Sequence, residues 1–151
     1  SPAPCAMEDI LASALPQLQA LTADHRLMID LSEGLPKVNA DRQRIDQVLI
    51  NLVGNAAKYT PSQTKVTITV QHTEAWIQVC VADEGSGIAV EDRERLFQAF
   101  RRGDGAQRRT RGTGLGLAIC KGLIEAHGGR IWLQERTSPG TTMCFTLPVV
   151  V

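Results

Sequence analysis

The sequence has 151 residues, enough for one domain that buries a real core without staples. Hydrophobic residues are 43% and charged residues 21%, which excludes a disordered, collagenous or low-complexity chain. Sixteen basic and sixteen acidic residues cancel, so bulk charge gives no support to nucleic-acid or membrane-surface binding.

No run approaches the ~18 apolar residues of a membrane helix, and no signal-peptide pattern opens the chain. Residues 1–6, Ser-Pro-Ala-Pro-Cys-Ala, read as a linker or cloning remnant outside the fold. Ile10, Leu11, Ala14, Leu15, Leu18 and Leu21 recur at helical spacing and predict a helix over 7–22. Pro16 inside it is expected to kink or split it. Residues 26–31, RLMIDL, predict a strand, and Gly34 and Pro36 then break the chain. The strongest helix signal covers 42–58: Ile45, Val48, Leu49, Leu52, Val53, Ala56 and Ala57 form one apolar stripe. Asp41 is its expected N-cap, and Pro61 stops its continuation.

Val66, Ile68 and Val70 alternate in a strand, and Ile77, Val79 and Val81 in another, joined through His72-Thr73-Glu74 as a hairpin. A glycine-rich loop, DEGSG, starts at Asp83. A short amphipathic helix over about 91–96 leads to Phe97 and Phe100. Residues 101–112, RRGDGAQRRTRG, have no apolar period and predict a polar, basic, mobile loop. A helix from near Gly114 to His127 is closed by Gly128-Gly129, and strands over about 130–136 and 141–147 finish the chain. Helices and strands do not alternate strictly, so α+β suits the order better than doubly wound α/β.

Cys5, Cys80, Cys120 and Cys144 are far apart with no CxxC, which disfavours a zinc site. Three of them lie in apolar periodic segments, where the default is a buried hydrophobe. Reduced thiols in a cytoplasmic protein are the simplest expectation; the even count leaves disulfides open.

Three features bear on chemistry. First, the helix over 42–58 has a polar stripe of Arg44, Gln47, Asn51, Asn55 and Lys58. A solvated face is the bland reading, but asparagine is a mediocre helix former. Stacked amides ending in Lys58 and Tyr59 would suit a metal–phosphate group, an amide oxygen being a hard ligand for Mg²⁺. Second, Asp83 ends a strand with Gly85 and Gly87 clearing space beside it. This fits a simple turn, and equally a carboxylate that accepts from the exocyclic amine of adenine. Third, Gly112-Thr113-Gly114-Leu115-Gly116-Leu117 opens a helix, where amides and the positive helix end can receive an anion. A flexible, tightly packed loop is the competing reading. The segment is neither a Walker A loop nor a dinucleotide-binding fingerprint.

Each feature alone is weak; their order is not. NLVGNAAKYTP, DEGSG, LFQAF and GTGLGLAI follow one another within about 70 residues. In this the chain resembles the ATP-binding catalytic domain of sensor histidine kinases. The wider superfamily includes gyrase-like topoisomerases, heat-shock ATPase chaperones and mismatch-repair ATPases. The four blocks resemble that family's N, G1, F and G2 boxes, and the resemblance covers residues 7–148.

The resemblance implies a two-layer α/β sandwich, a mixed sheet of about five strands with about three main helices on one face. It implies ATP and Mg²⁺ as ligands of a domain over 7–151. Asn55 resembles the Mg²⁺ ligand, with Asn51 one turn before it. Lys58 and Tyr59 resemble the nucleotide-contacting pair, and Asn51 and Lys58 are the candidate catalytic residues. Asp83 resembles the adenine-reading acid, with Gly85, Gly87 and Ile88 beside the base. Phe97 and Phe100 match the pair that anchors an ATP lid over 101–112. Within that lid Arg108, Arg109 and Arg111 are candidate phosphate contacts. Gly112, Thr113, Gly114, Leu115, Gly116 and Leu117 resemble the phosphate-side segment, and Thr142 a residue behind the adenine pocket.

ATP-hydrolysing members carry a glutamate base one turn before the metal-binding asparagine, and tend to carry an acid where this chain has Lys58. Asn51 cannot act as a base. Both differences favour phosphoryl transfer to a supplied nucleophile. His25, His72 and His127 do not fit the family's phosphoacceptor motif and read as surface or capping residues. The implied acceptor is a histidine on a separate dimerisation domain, so the chain by itself is expected to be monomeric and not to autophosphorylate. A response regulator is the implied further partner, with no nucleic acid, no direct membrane contact by this domain and a cytoplasmic location, the parent protein being soluble or membrane-anchored. Two other readings share the motifs: an anti-sigma-factor-type protein serine kinase, and a catalytically silent nucleotide-binding regulatory module.

Overall fold

A computed structural model describes residues 1–58, 60–84, 113–134 and 140–150. In chain order the elements are β1 (Ala3–Cys5), α1 (Met7–Leu21), β2 (Arg26–Leu31), β3 (Val38–Ala40), α2 (Arg42–Lys58), β4 (Lys65–Thr73), β5 (Trp76–Asp83), α3 (Thr113–Ala126), β6 (Ile131–Gln134) and β7 (Thr142–Pro148). Five strands form a mixed sheet in the order β2-β4-β5-β7-β6. Only β2 and β4 pair in parallel; the other three pairs are antiparallel. The expected α+β sandwich is therefore the fold.

Alternation decides which face the helices cover. Val66, Ile68 and Val70 of β4 and Ile77, Val79 and Val81 of β5 are buried, while their neighbours are more exposed. Phe145 and Leu147 of β7 extend the same apolar face. Against it lie Ile45, Val48, Leu49, Leu52 and Val53 of α2, with Met7, Ile10, Ala14 and Leu18 of α1 and Cys120 and Ile124 of α3. The stripe read from the sequence is thus the buried face of α2. Asp41 caps that helix as expected, its Oδ1 accepting from the Gln43 amide at 3.2 Å.

The composition of residues 1–6 places them outside the fold, yet Ala3–Cys5 pair antiparallel with Val38–Ala40 as a second, two-stranded sheet. That pairing is made by backbone groups of a largely exposed strand, so no apolar pattern announces it. Pro16 does not split α1. The carbonyl left without a donor is that of Ala12, and both residues are exposed, so water satisfies it.

The expectation of four reduced thiols is corrected too. Cys80 and Cys144 are direct partners in the β5–β7 register and are joined by a disulfide. Cys5 and Cys120 are thiols. Sixty-four residues separate the bonded pair, so only the strand register reveals it.

The end of α3 is fixed by two glycines. Gly128 has φ +83, in the left-handed region that closes helices. A Cβ on Gly129 would overlap the carbonyl oxygen of Thr146, so only glycine permits that approach to β7. Thr146 then donates its amide to Arg130 O at 2.8 Å, and Arg130 donates its amide to Thr146 Oγ1 at 3.0 Å.

Candidate nucleotide site

Helix α2 is the middle of the helical layer, packed against α1 on one flank and α3 on the other. Its buried face commits Asn51 and Asn55 to a half-buried flank and leaves Lys58 exposed in the last turn. On the α1 side, Gly54, Ala57 and Lys58 line a cavity of about 280 Å³ with Leu21, Asp24 and His25.

Asn51 lies on the other flank. A Cβ on Gly116 would stand 3.8 Å from Asn51 Cγ, so the glycine brings the start of α3 against this amide. One turn further along α3, the Cys120 thiol is fully buried and donates to Val48 O at 3.9 Å. Burial pushes that thiol up to about 11, and a hydrogen bond from Asn51 opposes the shift. Asn51 thus lies beside Gly116 and Cys120. Thr113, Gly114 and Leu115 occupy the first turn of α3, where the helix end is positive. Leu117 is in the core.

Asp83 stands where the alternation of β5 calls for an apolar residue. It follows Ile77, Val79 and Val81 on the helix-facing side and is itself buried. Its amide donates to Thr141 O at 2.9 Å, and the Thr141 amide donates to Asp83 Oδ1 at 3.0 Å. Burying a carboxylate at that depth is costly unless it is hydrogen-bonded, and the Thr141 amide meets part of that need. Beside it, Glu84 Oε1 accepts from the Lys65 amide at 2.9 Å. The resemblance puts Thr142 behind this pocket. It pairs with Ala82 instead, which the pleat turns to the opposite sheet face from Asp83. The residue that meets Asp83 is Thr141, one position earlier, because a one-residue step reverses the face of a strand.

The three histidines are tied to backbone. His25 Nε2 lies 3.2 Å from Thr60 O and His72 Nε2 2.7 Å from Glu74 O. His127 Nδ1 bonds Leu123 O at 2.7 Å, and its Nε2 accepts from the Asp41 amide at 3.1 Å. That second bond ties the end of α3 to the start of α2. Among the described residues no three His, Cys, Asp or Glu gather to hold a metal. Asn55 carries an amide oxygen, a hard donor of the kind that suits Mg²⁺.

Tyr59, Gly85, Gly87, Ile88, Phe97, Phe100, Arg108, Arg109, Arg111 and Gly112 lie outside the described residues, as do the helix expected at 91–96 and the loop over 101–112. Among the described residues no helix is long and apolar enough to cross a membrane. Sequence reasoning missed the contacts of Thr141 and Cys120, while His127 caps the end of α3 as expected. The spacing of Cys120, four residues after Gly116, was the available signal for one of them.

Residues 40–151 match the family model described as histidine kinase-, DNA gyrase B-, and HSP90-like ATPase. Histidine protein kinase DivJ of Caulobacter vibrioides is 39% identical over 140 residues, covering 93% of this chain and 24% of that protein. The catalytic domain of histidine kinase ThkA superposes with a TM-score of 0.80 at 28% identity, over 99% of this chain and 96% of that one. Full-length ShkA, solved in complex with AMPPNP, gives 0.80 at 30% identity, over 100% of this chain and 32% of that one. The chain thus spans about a quarter of DivJ and about a third of ShkA.

Proposed function

The chain belongs to the histidine kinase-, DNA gyrase B- and HSP90-like ATPases, and on that premise we propose that it is the ATP-binding catalytic domain of a two-component sensor histidine kinase. It delivers the γ-phosphate of ATP to a histidine on a separate dimerisation domain. The observation that carries this reading is Asp83, a buried carboxylate that ends an apolar strand face and is aimed by the Thr141 amide.

Asp83 accepts from the adenine amine and so selects ATP over GTP. Asn55 offers its amide oxygen to Mg²⁺, and Lys58, in the last turn of α2, brings positive charge to the phosphates. Bound Mg²⁺ neutralises charge on the transferring group. Asn51, beside Gly116 and Cys120, positions that group without offering water a base, which favours transfer over hydrolysis. Phe97 and Phe100 anchor a lid over 101–112, whose Arg108, Arg109 and Arg111 reach the phosphates. The partners are the parent's phosphoacceptor domain and a response regulator, and the location is the cytoplasm, where ATP is supplied.

Calorimetric titration tests the reading. ATP should bind with Mg²⁺-sensitive affinity and GTP more weakly. Asp83→Asn should weaken ATP by about ten- to a hundredfold, since a hydrogen bond to a charged group contributes roughly 1.5–3 kcal/mol. Labelled phosphate should appear on the parent's helical domain and not on this chain. Equal affinity for ATP and GTP would refute the role of Asp83, and stable label on this chain would refute the missing acceptor.

A further inference from the structure

Cys80 and Cys144 lie on the sheet face that carries no helix. The alternation of β5 places Cys80 with Gln78 and Ala82, opposite the buried Val79 and Val81. Cys80 is half-buried and Cys144 fully buried, so Cys80 is the sulfur that an incoming thiol meets first. Each sulfur also has a polar neighbour suited to its reduced form. Gln134 Oε1 lies 3.2 Å from Cys144 Sγ, where it can accept from a thiol. Gln78 Nε2 lies 3.5 Å from Cys80 Sγ, where it can donate to a thiolate. Both oxidation states are provided for.

Three residues from each cysteine, β5 ends at Asp83 and Thr141 stands just ahead of β7, and these two exchange the two hydrogen bonds described above. The bonded pair therefore ties β5 to β7 three residues from the paired backbone of Asp83 and Thr141.

We propose that Cys80 and Cys144 form a reversible thiol–disulfide switch that sets nucleotide affinity through the strand ends holding Asp83. The inference rests on the reading of Asp83 as the nucleotide-binding acid. The co-reactant is a low-molecular-weight disulfide of the glutathione class. The Cys80 thiolate attacks one sulfur of that disulfide, expels a thiolate and forms a mixed disulfide. The Cys144 thiolate then attacks the Cys80 sulfur and expels the second. Two protein thiols lose two electrons and two protons, and one small disulfide becomes two small thiols. Reduction reverses each step and begins at Cys80. In a reducing compartment such a bond is transient and sensing rather than structural.

The test uses the chain as it stands, equilibrated in glutathione buffers from reducing to oxidising. Alkylation after denaturation should count four thiols in the reduced form and two in the oxidised form. Reduction should speed amide exchange at Asp83 and Thr141 by roughly tenfold, as a local opening of the ladder. It should raise the ATP Kd roughly fivefold or more. Cys80→Ala, a change at a half-buried position, should show the reduced values in every buffer, and Cys144→Ala repeats the test from the other strand. A constant thiol count, unchanged exchange, or equal ATP affinity in both forms would each overturn the switch. Responsive exchange with no ATP binding in either form would refute the nucleotide reading and, with it, the switch's proposed output.

Discussion

Gly129→Ala should destabilise the domain severely, whereas Gly122→Ala, seven residues earlier on α3, should stabilise it. A methyl on Gly129 would overlap the carbonyl oxygen of Thr146, lie 2.9 Å from its carbon and stand 3.2 Å from Ile124 Cγ2. Relief requires residue 129 and β7 to separate. That stretches the bonds from Thr146 N to Arg130 O, from Arg130 N to Thr146 Oγ1, and from Gly129 N to Ile124 O. Losing one or two of them costs ~1 kcal/mol each, and forced overpacking costs ~1–3 kcal/mol. The sum is roughly 2–5 kcal/mol, or about 5–15 °C in Tm for a domain of this size. Gly122 is an exposed helical position with nothing within 4 Å of its added Cβ. Alanine there gains ~0.5–1 kcal/mol from helix propensity and a less free unfolded chain. Urea unfolding followed by circular dichroism reads both variants. A Gly129→Ala protein within ~0.5 kcal/mol of the parent, well inside the expected overpacking cost, would refute the reasoning.

Four further outcomes follow. Asn55→Ala should abolish the Mg²⁺ dependence of ATP binding in calorimetry; an unchanged metal requirement would reject the ligand role. Native oxidised protein treated with iodoacetamide at mildly alkaline pH should be alkylated at Cys5 and spared at Cys120, whose thiol is buried and pushed up to about 11. Because folding raises that pKa above the ordinary 9.0, its contribution is intact below pH 9 and declines between 9 and 11, where the unfolded chain alone ionises. The decline is up to about 2–3 kcal/mol and should vanish in Cys120→Ala, as urea titrations across that range will read. His127→Leu should cost ~1–3 kcal/mol by stranding the Asp41 amide, and a variant as stable as the parent would contradict that bond.

Periodicity explains what could be read in advance. Helix α2 was legible to the residue because six buried positions recur at one spacing over 17 residues, with a cap before them. Strands β4 and β5 were legible because buried residues alternate over six positions of β4 and eight of β5. β1 and β3 were not, because three residues cannot display a period and their pairing is made by backbone. Asp83 was legible because a carboxylate ends an apolar face. Its partner Thr141 was not, because the face of a strand residue depends on register, which sequence spacing alone does not fix. The Cys80–Cys144 bond escaped notice for the same reason. Cys120 reads as an ordinary buried thiol until α3 is laid against α2.

The two-stranded sheet of β1 and β3 has a mechanical consequence. β1 runs through Ala6 into α1, and β3 runs through Asp41 into α2, so two helices spring from one small ladder. A pull on the chain ahead of Met7 is met there first, as tension across a three-residue pairing. It passes on to the two helices and, through the bridge between Val38 and Val149, to the end of β7. The helix bearing Asn51 and Asn55 shares its anchorage with the point where such force would enter.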